Sequence, residues 1–346
     1  MAKLKIGIIG LGFMGKMHFD TYGTMPNAKV VAFADVDEKK RAGDWTGIVG
    51  NIAGKGQGPD LRGVTVYERA EDLIRDPRVE AVDITLPTYL HAKYALKALA
   101  AKKPTLCEKP MARTSAEAAR MAEAARTARV PLCIGHCIRF WPEYAKAREI
   151  VEGGRFGAAL HATFTRLSLT PDWSWQNWLQ DPKKSGGAPL DLHIHDADFV
   201  QYLFGRPAFV SARSAGFQAG APVDHIVATY AFRGRKNLLV TAEGGWMYAP
   251  GFGFTMQFRI HLEKATLTFG MGADPGLTIH TKTGRTLKPT VARGDGYTQE
   301  LAYFVRSIQK REAPKIVTPA SSVASVRLVE AEMQSARAGG RPVAVK

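Results

Sequence analysis

Three short runs of this sequence carry residue types at spacings that could do chemistry. The first is Gly10-Leu11-Gly12-Phe13-Met14-Gly15, which follows an apolar run at Lys5–Ile9 and opens a stretch of helical character to Tyr22. In a strand–turn–helix setting Gly10 permits the tight turn, Gly12 lets the backbone approach a pyrophosphate, and Gly15 lets helix pack close on strand. The free N–H groups and positive dipole end of the helix then face the phosphates. Asp35 ends the second apolar run, twenty residues beyond Gly15. A carboxylate there accepts hydrogen bonds from the adenosine ribose and repels a 2′-phosphate, so NAD is expected as the cofactor. Lys39, Lys40 and Arg41 follow closely and are able to accommodate the extra phosphate, which leaves NADP open. The plain alternative is a glycine turn capping a helix, with Asp35 a turn residue; the joint spacing favours dinucleotide binding.

The second run is Cys107-Glu108-Lys109-Pro110, at the end of the fifth strand pattern. Ligands of open parallel sheets gather at the carboxyl ends of the strands, where a lysine can point its ammonium into a cleft. Taken alone, the tetrapeptide reads more readily as a solvated strand end. The third run, Ser185 to Asp198, contains Asp191 and His195 four residues apart, so on a helix they share a face. Histidine titrates near neutral pH and is the usual acid or base for interconverting a hydroxyl and a carbonyl. Two other readings remain open here. His193, His195, Asp191, Asp196 and Asp198 are metal-ligand types, though His193 and His195 would lie on different helix faces, and no metal is expected. A capped helix with satisfied histidines is the other.

The elements that must position these residues change character along the chain. Up to about His136, strand patterns (Lys5–Ile9, Val30–Ala34, Ala81–Leu86, Pro104–Cys107, Val130–Ile134) alternate with helical ones (Asp37–Trp45, His91–Ala101, Ser115–Ala128). That alternation predicts a doubly wound parallel sheet with helices on both faces. Thr114 or Ser115 is placed to cap the last of these helices. The glycine-rich stretch over residues 46–63 breaks the pattern, and reads either as a flap near the adenosine end or as a surface insertion. After Cys137 one helix pattern, Pro142–Glu152, precedes β-branched and aromatic alternation at Ala159–Leu169, Ala208–Ala212, Ile226–Phe232, Leu238–Glu243, Thr255–Leu262 and Ala265–Phe269. Glycine turns separate several of them, as in antiparallel hairpins. Two helices, near Thr298–Lys310 and Pro319–Ala338, follow. The expected fold is therefore α/β, with a dinucleotide-binding Rossmann domain over residues 1–136. An α+β domain with a large, open, mostly antiparallel sheet is expected over 137–346.

Composition narrows the function class. With 346 residues, 45% hydrophobic and 23% charged, the chain is globular and long enough for two cores. Its net charge of +15 is spread over both halves, unlike the concentrated basic face of a nucleic-acid binder, so no nucleic-acid partner is expected. No apolar stretch is long enough to span a bilayer, and no membrane partner is expected. The apolar N-terminus reads as a strand feeding a glycine turn rather than an export signal. Cys107, Cys133 and Cys137 are odd in number and form no CxxC, which fits a reducing cytoplasm.

Together the motifs resemble one family. The GxGxxG run, Thr85-Leu86-Pro87-Thr88 with His91, Glu108-Lys109-Pro110, and the Gly-Gly followed by DxxxHDxD occur in order over essentially the whole chain. This is similar to the glucose–fructose oxidoreductase/inositol dehydrogenase/MocA family. The resemblance implies an NAD(P)-dependent oxidoreductase moving hydride between nicotinamide and a secondary hydroxyl or ketone of a sugar, cyclitol or sugar derivative. It implies that Lys109 hydrogen-bonds the substrate hydroxyl and helps place the nicotinamide, that His195 accepts the proton, and that Asp191 orients substrate or histidine. The three are expected to meet around the reactive ring. Cofactor contacts carry over onto Gly10, Gly12, Phe13, Met14, Gly15, Asp35, Thr85, Leu86, Pro87, His91, Glu108 and Lys109. In this setting His136, Arg166 and Trp178 are expected to line the substrate cleft with Lys109, Asp191 and His195, while core packing competes for each tryptophan of Trp173, Trp175 and Trp178. Family habit implies a homo-oligomer, dimer or tetramer, through the open sheet. Relatives that use transient oxidation to act as glycosidases, and non-catalytic nucleotide-sensing regulators, are the alternatives. Ala188, His193 and Thr88 depart from the usual glycine, glycine and asparagine, and His193 brings a second imidazole to be reckoned with beside His195.

Overall fold

The computed structural model describes residues 2–50, 59–216, 223–271 and 275–346. The chain falls into two compact units, one of Met1–His136, Trp173–Trp178 and Tyr297–Val323, the other of Cys137–Asp172, Leu179–Gly296 and Ala324–Lys346.

In the first unit the strands are β1 (Leu4–Ile9), β2 (Ala28–Ala34), β3 (Thr65–Tyr67), β4 (Ala81–Ile84), β5 (Thr105–Glu108) and β6 (Leu132–Gly135), all parallel and ordered β3-β2-β1-β4-β5-β6. The central strands read as nearly unbroken apolar runs because helices cover both faces of a parallel sheet. Those helices are α1 (Phe13–Thr24), α2 (Glu38–Arg41), α3 (Ala70–Arg75), α4 (Thr88–Ala100) and α5 (Ser115–Ala128). At the start of α5 the Thr114 hydroxyl accepts from the Glu117 N–H, so Thr114 is the cap. The helical pattern expected over Asp37–Trp45 is realised only as the single turn of α2, because the chain turns away at Gly43. Trp45 instead packs inward, edge-on to Phe19 and Phe33 at 4.9 and 5.9 Å. Of the glycine-rich stretch over 46–63, residues 51–58 lie outside the described residues. The short β3 and α3 were not legible as elements in the sequence. The order of strands reverses between β1 and β4, and a crevice opens beyond the carboxyl ends of strands at such a switch point.

The second unit carries α6 (Pro142–Glu152), α7 (Ile194–Phe204) and strands β7 (Ala159–Leu169), β8 (Phe209–Ala215), β9 (His225–Ala231), β10 (Leu239–Tyr248), β11 (Thr255–Leu262), β12 (Ala265–Gly270), β13 (Gly276–Thr281), β14 (Thr286–Leu287) and β15 (Val343–Ala344). They form one sheet ordered β14-β13-β12-β11-β7-β10-β9-β8-β15, antiparallel except where β7 runs parallel to β10. One face is buried by an aromatic cluster: Tyr144 of α6 meets Phe199 of α7 and Phe258 of β11, each at 4.8 Å. The other face leaves Val227, Leu239, Gln257 and Arg259 exposed, as strict alternation requires. Two further helices follow, α8 (Gly296–Lys310) and α9 (Pro319–Arg337). Leu301, Phe304 and Val305 of α8 join the core of the first unit. Among the described residues, no helix is long and apolar enough to cross a membrane, and no group of His, Cys, Asp and Glu is disposed to hold a metal ion.

Candidate functional site

The first unit brings the expected cofactor residues to one edge of its sheet. Gly10 follows β1 with φ +94°, a conformation that side chains resist, and its N–H donates to the Ala34 carbonyl at 2.8 Å. Across the switch point the Thr85 hydroxyl donates to the Gly10 carbonyl at 2.6 Å. Gly15 is packed so closely that an added Cβ would stand 2.0 Å from the Gly10 carbonyl oxygen, whereas a Cβ on Gly12 would meet none of the described residues within 4 Å. No side chain caps the first turn of α1. Open backbone at Gly12 and an uncapped helix start fit a dinucleotide pyrophosphate. Phe13 and Met14, in that same first turn, are half-buried.

Asp35, just past β2, accepts the Leu11 N–H at 2.6 Å and the Asp37 N–H at 2.8 Å, which ties the glycine turn to the end of the second strand. The basic residues beside it are drawn to the same point: Lys40 Nζ lies 3.9 Å from the Asp35 carboxylate, and Arg41 donates to its main-chain carbonyl at 3.0 Å. Thr85, Leu86 and Pro87 follow β4, and Glu108 and Lys109 end and follow β5.

His91 is buried in α4, with Nδ1 2.8 Å from the Pro110 carbonyl oxygen and Nε2 2.7 Å from that of Leu86. Burial lowers its pKa. Both ring nitrogens thus face main chain, so this residue, expected as a cofactor contact, ties the loop after β4 to the loop after β5. The Lys109–Pro110 peptide in that second loop is cis. Lys109 is half-buried, and its N–H donates to Glu108 Oε2 at 3.0 Å. Gly135 of β6 leaves the room that the Glu108 carboxylate fills, since a Cβ there would stand 2.9 Å from Glu108 Oε1.

Beneath Glu108 lies a cluster that no sequence motif announced. His18 of α1 is 0% exposed, with Nδ1 2.9 Å from Asp83 Oδ2 and Nε2 3.3 Å from Glu108 Oε1. The Tyr22 hydroxyl donates to the same Asp83 oxygen at 3.0 Å. Burial opposes a charge on His18, but the charge and hydrogen bond of Asp83, with the Glu108 carboxylate close by, outweigh it and hold the imidazole well above the usual histidine range. Burial likewise pushes Glu108 up, yet His18, with Lys109 behind it, keeps its carboxyl below the ordinary range. The available signal was a carboxylate, Asp83, inside the otherwise apolar strand β4.

In the second unit, Asp191 sits in a π-helical turn, Pro189–His193, that runs directly into α7, where His195 is the second residue. Such widened turns are rare and are frequent at functional sites. Asp191 and His195 are half-buried, while His193 between them is fully buried. Its Nε2 lies 3.0 Å from Glu332 Oε2 of α9, and the Tyr230 hydroxyl of β9 donates to Glu332 Oε1 at 2.8 Å. The backbone of β10 can approach because position 244 is glycine; a Cβ there would stand 2.6 Å from His193 Cβ. His193 is an interior strut of this unit.

Arg166, expected to line the substrate cleft, is paired with a carboxylate. It is 2% exposed on β7, with Nε 2.8 Å and Nη2 3.1 Å from the two oxygens of Asp196, which the guanidinium fork holds as a buried pair. Arg139 and Asp198 form a second such pair, at 2.8 and 2.6 Å, joined by the Ser325 hydroxyl at 2.5 Å from Asp198. The two aspartates of the HDxD run are therefore occupied by arginines. His136 is buried after β6, and Trp178 is half-buried in the segment Trp173–Trp178 of the first unit.

Comparison with known proteins bears on what these arrangements serve. Residues 4–136 match the family profile described as oxidoreductase family, NAD-binding Rossmann fold, and residues 144–268 match the GFO/IDH/MocA C-terminal domain. An inositol 2-dehydrogenase of Rubrobacter xylanophilus is 34% identical over 204 residues, 58% of this chain and 52% of that protein. A levoglucosan dehydrogenase of Pseudarthrobacter phenanthrenivorans is 31% identical over 228 residues, 61% of this chain and 54% of that protein. The chain spans about half the length of these curated relatives. A solved levoglucosan dehydrogenase in complex with NADH and levoglucosan shares the fold over 99% of both chains, with a TM-score of 0.83 and 24% identity.

Proposed function

As a member of the GFO/IDH/MocA oxidoreductase family, this chain is, we propose, an NAD-dependent dehydrogenase acting on a secondary hydroxyl of a sugar, cyclitol or sugar derivative. The observation that carries the reading is the paired environment of Gly12 and Gly15: space open at one, closed at the other, beside Asp35 at the end of β2. Residues 1–136 would hold the dinucleotide. Gly10, Gly12, Phe13, Met14 and Gly15 would take the pyrophosphate, Asp35 the adenosine ribose, and the loops at Thr85–Pro87 and Glu108–Lys109 the nicotinamide end. The bound nicotinamide supplies the hydride acceptor.

Residues 137–346 would supply the proton-transfer pair. His195 takes the proton of the substrate hydroxyl, the step for which imidazole is the usual acceptor. Asp191 orients the hydroxyl or the imidazole. The Lys109 ammonium stabilises negative charge developing on the same oxygen. Asp35 supports NAD over NADP, since its carboxylate would meet a 2′-phosphate with repulsion. The substrate class rests on the named relatives, which include inositol and levoglucosan dehydrogenases. His136 and Trp178 remain proposed as substrate contacts, while Arg166, held by Asp196, is assigned a supporting role. The exposed sheet face bearing Val227 and Leu239 supports assembly into a homo-oligomer.

The test is a screen of polyols, aldoses, anhydrosugars and uronates with NAD and NADP in parallel, following NADH absorbance. Lys109→Ala is expected to cut turnover by two orders of magnitude or more, roughly 3 kcal/mol of transition-state stabilisation, with NADH affinity changed far less. Unchanged turnover would remove Lys109 from the reaction. Sugar release without NADH accumulation would replace the dehydrogenase reading with an eliminating glycosidase.

A further inference from the structure

The buried cluster under Glu108 has no part in the roles assigned so far. Asp83 and Glu108 stand on adjacent parallel strands, both buried, and among the described residues neither is held in a guanidinium fork in the way Asp196 and Asp198 are. Two carboxylates so placed cannot both stay ionised without a shared counter-charge. His18 stands between them, at 2.9 Å from one and 3.3 Å from the other. An ionised Glu108 is an acceptor only, so its Oε2 can take the Lys109 N–H at 3.0 Å and fix the first peptide of the loop that carries Lys109. The loop is tied from its other side by His91, through the Pro110 carbonyl.

We propose that His18 is a positioning residue for the reaction: as an imidazolium shared by Asp83 and Glu108, it holds Glu108 as the fixed acceptor that sets the pose of Lys109. His18 touches neither substrate nor cofactor in this scheme and acts through Glu108. The inference deepens the dehydrogenase reading and rests on it for the role of Lys109. Groups bearing on the imidazole from the surrounding elements are Asp83 on β4, Glu108 on β5 and Tyr22 one turn along α1. Beyond Tyr22, Glu300 of α8 and Cys133 of β6 act on its hydroxyl. The net charge of the His18, Asp83 and Glu108 trio is −1, and Lys109 balances it. Replacing the imidazolium by a neutral amide leaves two negative charges in the interior, and Glu108 then takes up a proton and turns from acceptor to partial donor.

Three measurements decide the matter. In protein labelled with ¹⁵N-histidine, the resonance missing from His18→Gln identifies His18, and at pH 7 both of its ring nitrogens are expected to be protonated. A neutral ring with one bare nitrogen at that pH overturns the proposal; should His18→Gln not fold, His18→Asn serves for the assignment. In a cycle of H18Q, E108Q and the double variant, H18Q is expected to lower kcat 10- to 100-fold with KM for NAD changed less than threefold. The double variant should be no slower than E108Q alone, because residues acting through one another are non-additive. Losses that multiply, or a kcat unchanged in H18Q, overturn it. The emission of bound NADH, which senses the nicotinamide surroundings, should change alike in H18Q and E108Q, and different changes count against the coupling. Ring titration and NADH emission need no turnover. A wild-type protein that binds NADH and oxidises none of the panel therefore refutes the dehydrogenase reading while these two results still judge His18.

Discussion

Adding one methyl group at Gly12 and, separately, at Gly15 separates cofactor binding from folding. At Gly15 the new Cβ would stand 2.0 Å from the Gly10 carbonyl oxygen and 2.9 Å from Thr85 Oγ1. Carbon and oxygen need over 3 Å, so helix α1 must retreat from the turn after β1 by about 1 Å, against backbone that cannot rotate away. Overpacking of this kind costs about 1–3 kcal/mol, offset in part by the roughly 1 kcal/mol that alanine gains over glycine inside a helix. For a unit of this size each kcal/mol moves the melting point by roughly 2–4 °C, so Gly15→Ala should melt a few degrees lower. Because the helix start moves, NADH binding should fall as well. At Gly12 none of the described residues lies within 4 Å of the new Cβ, and the residue has negative φ. Stability should therefore stay within about 0.5 kcal/mol. The methyl would occupy the place assigned to the pyrophosphate, and a tenfold or greater loss of NADH affinity corresponds to about 1.4 kcal/mol or more. The assay is a thermal melt without cofactor beside an NADH fluorescence titration for both variants. Wild-type affinity in Gly12→Ala would refute the placement of the dinucleotide. An unshifted melt in Gly15→Ala would refute the argument from close packing.

Two further outcomes follow from the interior charges. Arg166→Leu, which strands Asp196 in the core, should cost about 3–5 kcal/mol, while the double variant R166L/D196L should recover most of it; equal destabilisation by both, read from urea midpoints, would contradict a buried pair. The His18 imidazole is held above its unfolded value, so its contribution to stability is complete below about pH 6.5 and is lost as pH rises through its folded value. Glu108 is held below its unfolded value, so its contribution is complete above about pH 4.5 and is lost as pH falls. The wild-type urea midpoint should thus fall on the alkaline side more steeply than that of H18Q, and parallel curves would show that the imidazole carries no such linkage.

Much of this protein is local in origin and so was readable in sequence. The glycine turn, the alternation of β7 and β11 and the Thr114 cap each follow from neighbours a few residues apart, and Asp35 from a fixed spacing along one strand–helix–strand unit, so spacing alone dictates which face or turn each residue serves. Periodicity failed where elements are too short to show a period, as at β3 and α3, and where a helix widens, as at Pro189–His193. It failed most plainly for charged and polar side chains. That Arg166 meets Asp196, that His193 meets Glu332, and that His18 joins Asp83 to Glu108, all depend on partners 30 to 139 positions away in the chain. A buried charge must find an opposite charge. Which one it finds is settled only when the sheets assemble, because the desolvation that forces the pairing does not exist until the core closes.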